Sequence, residues 1–209
     1  MNILRTPAIN TSLERTISRD RLAKYLAATA QDLDAALALY ERNTRLSEAM
    51  YSPLQALEIC LRNSVSCEMG RVYGVDWLTN GAAPFAPNAV QSIDEAKAAF
   101  GATFSNGDLV AELKFSFWVG LTGPGYDATL WRKAIHSAFR AKGGKKRSDV
   151  NRRLNALRRF RNRVAHHEPV SANADQFHNE CLEAIGWMCA DTCSWAAHNT
   201  RFPAVFAAP

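Results

Sequence analysis

Cysteine is sparse in this chain and follows no pattern. Cys60, Cys67, Cys181, Cys189 and Cys193 are an odd number with no C-x-x-C spacing, which argues against a zinc ribbon or a disulfide framework. Cys189 and Cys193 lie one helical turn apart, and two small buried residues explain that spacing without a metal. Long apolar runs are also missing: nothing approaches the roughly 18 uninterrupted apolar residues of a membrane span. The opening MNILRTPAINTSLERTISRD lacks the apolar core of a secretory signal. A reduced, cytoplasmic protein with no membrane partner is therefore expected. Several catalytic signatures are absent too. Gly143-Gly144-Lys145-Lys146 lacks the glycine spacing of a Walker A loop. There is no nucleophile elbow, and His166-His167-Glu168 is not a zincin motif. The expectation is no metal and no cofactor.

What is present is a length of 209 residues, 47% of them hydrophobic and 22% charged. That is enough for one domain with a real core, or one domain with a small appendage. The expected division is a helical extension over residues 1–50 packed on a helical bundle over 51–209. The net charge of +5 hides a segregation. From Arg132 to Arg163 stand 13 basic residues against one acid, Asp149, a local charge of +12. The remaining 12 basic and 19 acidic residues carry −7. Such separation suits a polyanion surface, although a solvated helix face is the commoner fate of a charge run. If the run meets nucleic acid, Lys142, Lys145, Lys146, Arg147, Arg152 and Arg153 are the residues to hold phosphates, with salt-sensitive affinity.

Almost every periodic segment has helical spacing. Ser18 is placed to cap a helix starting at Arg19, with Leu22, Tyr25 and Leu26 on one face. A second helix is predicted over Asp32 to Met50. Ser52-Pro53 reads as the start of a third, which Gly74 ends. Asn88 is expected to cap a short helix to Phe100. Leu109 to Leu121 looks like the most buried helix, and Tyr126 to Ala141 like another. Ser148 is the predicted cap of a helix ended by Pro169, and a last amphipathic helix is expected from Ala174 to about Ala197. No strand-like alternation appears. The predicted class is an all-α bundle, at least about 60% helix.

Two residues break the apolar periodicity. Val150, Leu154, Leu157 and Val164 step along one helical face, and continuing the step from Leu157 lands on Arg161. A guanidinium in an apolar stripe is costly unless it is paired or faces a water-filled cleft. His166 follows five residues later, an imidazole suited to proton transfer near neutrality. In the third helix, Glu58 falls on the edge of a stripe through Leu54, Leu57, Leu61, Val65 and Val72. It can pair with Arg62 one turn on, as a surface pair worth about 0.2–0.5 kcal/mol, or it can meet Arg161.

The run Arg161-Asn162-Arg163-Val164-Ala165-His166 matches the R-x4-6-H signature of the HEPN superfamily. The longer RNRVAHHEP resembles the Abi-like (abortive infection) proteins within it. Leu57-Glu58-Ile59-Cys60-Leu61-Arg62-Asn63, Lys114-Phe115-Ser116-Phe117-Trp118 and Leu130-Trp131 echo the same pattern, so the resemblance spans roughly residues 50 to 170. It implies a HEPN-like helical bundle that forms a homodimer with two motifs facing one cleft near the two-fold axis. It further implies metal-independent endoribonuclease activity in a toxin or abortive-infection (antiviral defence) effector, with a possible antitoxin or regulatory partner. Other members bind RNA, nucleotide or a partner protein without catalysis, and that is the alternative reading. A purely structural role, with Arg161 held by Glu58 and His166 as a helix cap, is the third.

On this resemblance Arg161 and His166 are the expected catalytic residues and Asn162 the polar residue beside them. Residues five apart on a regular helix diverge by about 140°, so Arg161 and His166 point to different places within one chain. A two-fold axis would bring each to its partner. His167 is expected as a C-terminal cap or a backup contact, with Glu58 and Arg62 in support.

Overall fold

In a computed structural model, residues 5–101, 103–141 and 143–208 are described. The described residues form ten α-helices: α1 (Pro7–Ile17), α2 (Arg19–Ala28), α3 (Leu33–Tyr73), α4 (Pro87–Ala98), α5 (Asn106–Glu112), α6 (Phe115–Gly120), α7 (Arg147–Ala165), α8 (Ala174–Gly186), α9 (Ala190–Asn199) and α10 (Phe202–Ala207). Of the described residues 76% are helical and none is in a strand, so the chain is all-α. Among them no helix is long and apolar enough to cross a membrane.

The axis of the fold is α3, 41 residues long and therefore about 60 Å at 1.5 Å per residue. Two predicted helices are here one. Ser52-Pro53 does not start a helix; Pro53 lies inside α3. An interior proline costs about 3 kcal/mol through its missing N–H. Leu46, Ala49, Met50, Pro53, Leu54 and Leu57 nevertheless form an unbroken buried face across it. Burying one leucine-sized side chain returns about 1.5–3 kcal/mol, so several of them outweigh the proline. The thiol of Cys181 on α8 donates to the Pro53 carbonyl at 3.1 Å, tying the two helices at that point.

The chain before α3 folds back on its first half. Thr6 caps α1 through the Ile9 amide, and Ser18 ends α1 and caps α2 through the Arg21 amide at 3.2 Å. The Ser18 cap is as predicted. Leu22, Tyr25, Leu26, Ala36 and Leu37 make a small core of their own, separate from the main core that begins at Leu46. The expected boundary at residue 50 thus falls within a continuous helix, and the gap between cores lies between Leu37 and Leu46.

The main core is built by α8, α9, α10, α7 and α6 packing on α3 from Leu46 onward. Its aromatic centre is Trp77 against Trp118, with ring centroids 6.1 Å apart, and Phe117 edge-on to Trp118. Leu109 to Leu121 is not one helix. The extended backbone at Lys114 divides α5 from α6, and the Trp118 indole donates to the freed Leu113 carbonyl at 3.1 Å. Tyr126 to Ala141 is also irregular, with a π turn at Asp127–Trp131 and a 3-10 turn at Ile135–Phe139. Arg147 donates to Asp127 and to the Thr122 carbonyl, and Asn151 donates to the Thr122 hydroxyl, so this segment follows side chains of α7. Helix α4 starts at Pro87 after Ala86, not at an Asn88 cap. Likewise α7 starts at Arg147, one residue before the expected Ser148 cap. The last predicted helix is two, because Cys189 turns extended and caps α9 with its sulfur.

His178 of α8 is 5% exposed and stacks on Phe202 of α10, centroids 4.5 Å apart. Burial holds its imidazole below the ordinary 6.5. The unfolded chain then takes up this proton at higher pH than the folded one, so stability falls as pH drops below about 6.5. Thermal unfolding from pH 8 to 5 is expected to show a falling Tm over the acidic part of that range. His178→Leu should flatten that fall relative to the parent chain. An equally steep fall in the variant would contradict the assignment.

Candidate active site

Helix α7 buries Val150, Leu154, Leu157 and Phe160. Phe160 was not in the sequence-predicted stripe. From Leu157 it lies about 60° to one side and Arg161 about 40° to the other. Phe160 takes the core side, stacking on Phe177 of α8 at 4.3 Å. Arg161 is consequently not in the core. Its side chain is 44% exposed, facing α3.

There it meets Glu58, Nη2 to Oε2 at 3.8 Å, across the gap between α7 and α3. Of the two partners open to Glu58, the structure therefore selects Arg161. Arg62 turns away and donates to the Ala111 carbonyl at 3.3 Å. A loose, partly exposed ion pair of this kind contributes about 0–1 kcal/mol, well below the cost of breaking a buried one. Its importance is positional. Glu58 and Arg161 both line a cleft of about 730 Å³ with Tyr51, Arg62, Val164 and His167. Both also line an adjoining hollow of about 410 Å³ with Lys114, Arg158 and Asn162. The pair is the saddle between two depressions. A hollow of about 680 Å³ over α4 contains Asp94 and Glu95 but no histidine or cation, and offers no comparable chemistry.

The two histidines part company at the end of α7. His166 is the C-terminal cap residue and is exposed. Its carbonyl accepts from Arg21 of α2 at 3.3 Å, and it is not a cleft residue. His167 is the cleft residue. Its φ of +57° places it in the left-handed region. The His167 amide donates to the Val164 carbonyl at 3.1 Å, and the Glu168 amide to the Arg163 carbonyl at 2.9 Å. That is a Schellman cap, usually built with glycine. It ends the helix before Pro169 is reached, so the proline is not the stop. Histidine here costs about 1 kcal/mol over glycine, and the turn delivers its imidazole to the cleft that Arg161 faces. Both histidines satisfy the R-x4-6-H spacing from Arg161. Asn162 joins His166 through its backbone, accepting the His166 amide at 2.8 Å. Among the described residues its side chain makes no hydrogen bond to that imidazole.

The turn is fastened from the far side by Asn43 of α3, 3% exposed. Its amide donates to the Glu168 carbonyl at 3.3 Å and its carbonyl accepts the Val170 amide at 2.7 Å. Sequence reasoning passed over this residue. Its signal was the same as that of Arg161: a polar side chain in the apolar register of a helix, between Leu37 and Leu46.

The basic segment is more committed to the fold than its charge suggested. Arg147 is bound to Asp127 and to the Thr122 carbonyl. Arg153 pairs with Glu183 at 2.6 Å and lies over the Trp187 ring. Lys145 lies over the same ring. Arg152 is 79% exposed beside Asp149, and Lys146 precedes the helix. Lys142 lies outside the described residues. Among the described residues no group of three or more His, Cys, Asp or Glu is placed to hold a metal ion. No family model, no curated protein and no solved structure matches the chain.

Replacing Asn43 with leucine leaves the buried Val170 amide without an acceptor, at about 1–3 kcal/mol. Asn43→Leu should lower the denaturation free energy by that amount and speed hydrogen exchange at Val170. Unchanged exchange there would show that Asn43 does not hold the turn.

Proposed function

We propose that this protein is a metal-independent HEPN endoribonuclease of the Abi-like kind, acting in the cytoplasm as a toxin or abortive-infection effector. The observation that carries the proposal is the convergence of Arg161 and His167 on one cleft, with a second histidine at the same helix end. Cleavage without a metal requires three things of the protein. The 2′-hydroxyl must lose its proton as its oxygen attacks phosphorus. The 5′-oxygen must gain a proton as its bond to phosphorus breaks, leaving a cyclic phosphate. The charge gathered on the phosphate oxygens must be met throughout. A guanidinium forks onto two such oxygens, and Arg161, only loosely held by Glu58, is free to do so. His167 exchanges a proton within the same cleft. His166 is exposed just outside it; on this reading the chain forms a homodimer in which His166 serves the cleft of the second copy, so that each cleft holds an acid and a base.

Incubation of purified protein with labelled RNA in EDTA tests this. Cleavage is expected. His167→Ala and His166→Ala should each lose about 10²–10⁴ in rate, the usual cost of a general acid or base. Arg161→Lys keeps the charge and loses the fork, and should fold and cleave poorly. Retention of RNA without cleavage would favour a binding module. Full activity in both histidine variants would defeat the reading.

The surface cations have a separate readout. The double variant Lys146→Gln, Arg152→Gln should flatten the slope of log affinity for single-stranded RNA against log salt by about 1.4, at 0.7 per phosphate contact. Arg147→Gln and Arg153→Gln should lower Tm instead. A slope unmoved by the double variant would return these residues to the solvated surface.

A further inference from the structure

The cleft is chemically divided along its length. At one end stand Arg161 and Glu58, and two turns back along the same face of α3 stands Tyr51; His167 lines the cleft on the Tyr51 side, where the residues after it are bound to Asn43. Tyr51 and Glu58 are seven residues apart, two helical turns, and so about 10 Å apart on one side of α3. The wall between them includes apolar side chains, Leu54 and Ile59 from α3 and Val164 from α7. Tyr51 is 66% exposed, the most exposed aromatic ring among the described residues. A single exposed aromatic is ordinary on a protein surface. This one lies on the wall of a cleft whose volume is in the range that holds a small ligand. A ligand matching the whole cleft needs an anion for the arginine and a flat apolar face for the ring, joined by a short polar linker. A nucleotide has that form. Around Tyr51, Gln55 and Glu48 also line the cleft, with Glu48 held by Arg201 at 2.6 Å, and both can hydrogen-bond to a base edge.

We propose that Tyr51 is a stacking platform for a nucleobase, making its end of the cleft a base subsite next to the phosphate subsite at Arg161. The proposal builds on the ribonuclease reading, and it adds what governs which nucleotide lies beside the bond that breaks. The platform is sequence-tolerant, because every base presents a π face. Any preference for one base then comes from Gln55 and Glu48 at its edge.

Binding of adenosine 5′-monophosphate, uridine 5′-monophosphate and ribose 5-phosphate, measured by calorimetry on the full chain, tests the platform. Both nucleotides should bind more tightly than ribose 5-phosphate. Tyr51→Ala should weaken nucleotide binding by about 5- to 150-fold, the range for one base–aromatic stack, and leave ribose 5-phosphate unchanged. Tyr51→Phe, which keeps the ring, should stay within about twofold of the parent. With RNA as substrate, Tyr51→Ala should raise KM and leave kcat close to the parent value. Equal binding of nucleotides and ribose 5-phosphate, or a Tyr51→Ala variant that binds nucleotides like the parent, would overturn the proposal. So would a Tyr51→Ala variant whose only change is dissociation of a dimer, which would assign the ring to an interface between copies. The two readings fail separately. Nucleotide binding that depends on Tyr51 without RNA cleavage would leave the platform and remove the ribonuclease. Cleavage with an unaltered KM in Tyr51→Ala would do the reverse.

Discussion

The burial of one continuous face along α3 is the constraint from which the rest of the structure follows. That face holds Pro53 inside a helix against a cost of about 3 kcal/mol, because a break would expose neighbours such as Met50, Leu54 and Leu57. A helix continuous through residue 53 carries Asn43, Tyr51, Glu58 and Arg62 on one element. Had the chain turned at Ser52, Asn43 and Glu58 would belong to independent elements, and the end of α7 would have no common support. The cleft exists because one side of it is a single continuous helix.

The other side is set by how α7 ends. Phe160 anchors its last turns against α8, which leaves Arg161 turned toward α3. The left-handed residue at His167 then redirects the chain, and Asn43 holds the segment beyond it through two hydrogen bonds. Histidine is tolerated in that backbone region but is seldom the most stable choice. Strain of this kind, retained where glycine would relieve it, is compatible with a residue kept for what its side chain does. The same turn separates two adjacent histidines, one into the cleft and one outside it, a division that fits a site completed by a second copy.

The all-α class was legible because helical period repeats in nearly every segment. So was the cap at Ser18, where a short polar side chain precedes an apolar stripe. Arg161 was legible as a polar residue within an apolar stripe and Glu58 as one at a stripe's edge; they do meet, but at 44% exposure Arg161 lies outside the core. Less of the rest could be read, for physical reasons. Proline is a strong local signal, and tertiary burial overrode it at Pro53, while the Schellman turn at His167 pre-empted it at Pro169. Phe160 and Arg161 flank the same helical line, and their order of burial depends on which neighbours α8 and α3 supply. Which histidine enters the cleft depends on the sign of one φ angle, and no spacing rule carries that information. The basic run was visible as charge, but the partners of Arg147 and Arg153 are carboxylates about 20 to 30 residues away in sequence.

On the proposed reading, the phosphate at the bond that breaks is held in the cleft between α3 and α7, and the basic surface holds only flanking phosphates. Side-chain NMR of the arginine Nε–H and histidine ring groups, during titration with a dinucleotide lacking the reactive 2′-hydroxyl, addresses it directly. Arg161 and His167 are expected to shift together and saturably, while the buried His178 stays still. Shifts confined to Arg152 and its neighbours, with Arg161 and His167 silent, would contradict it.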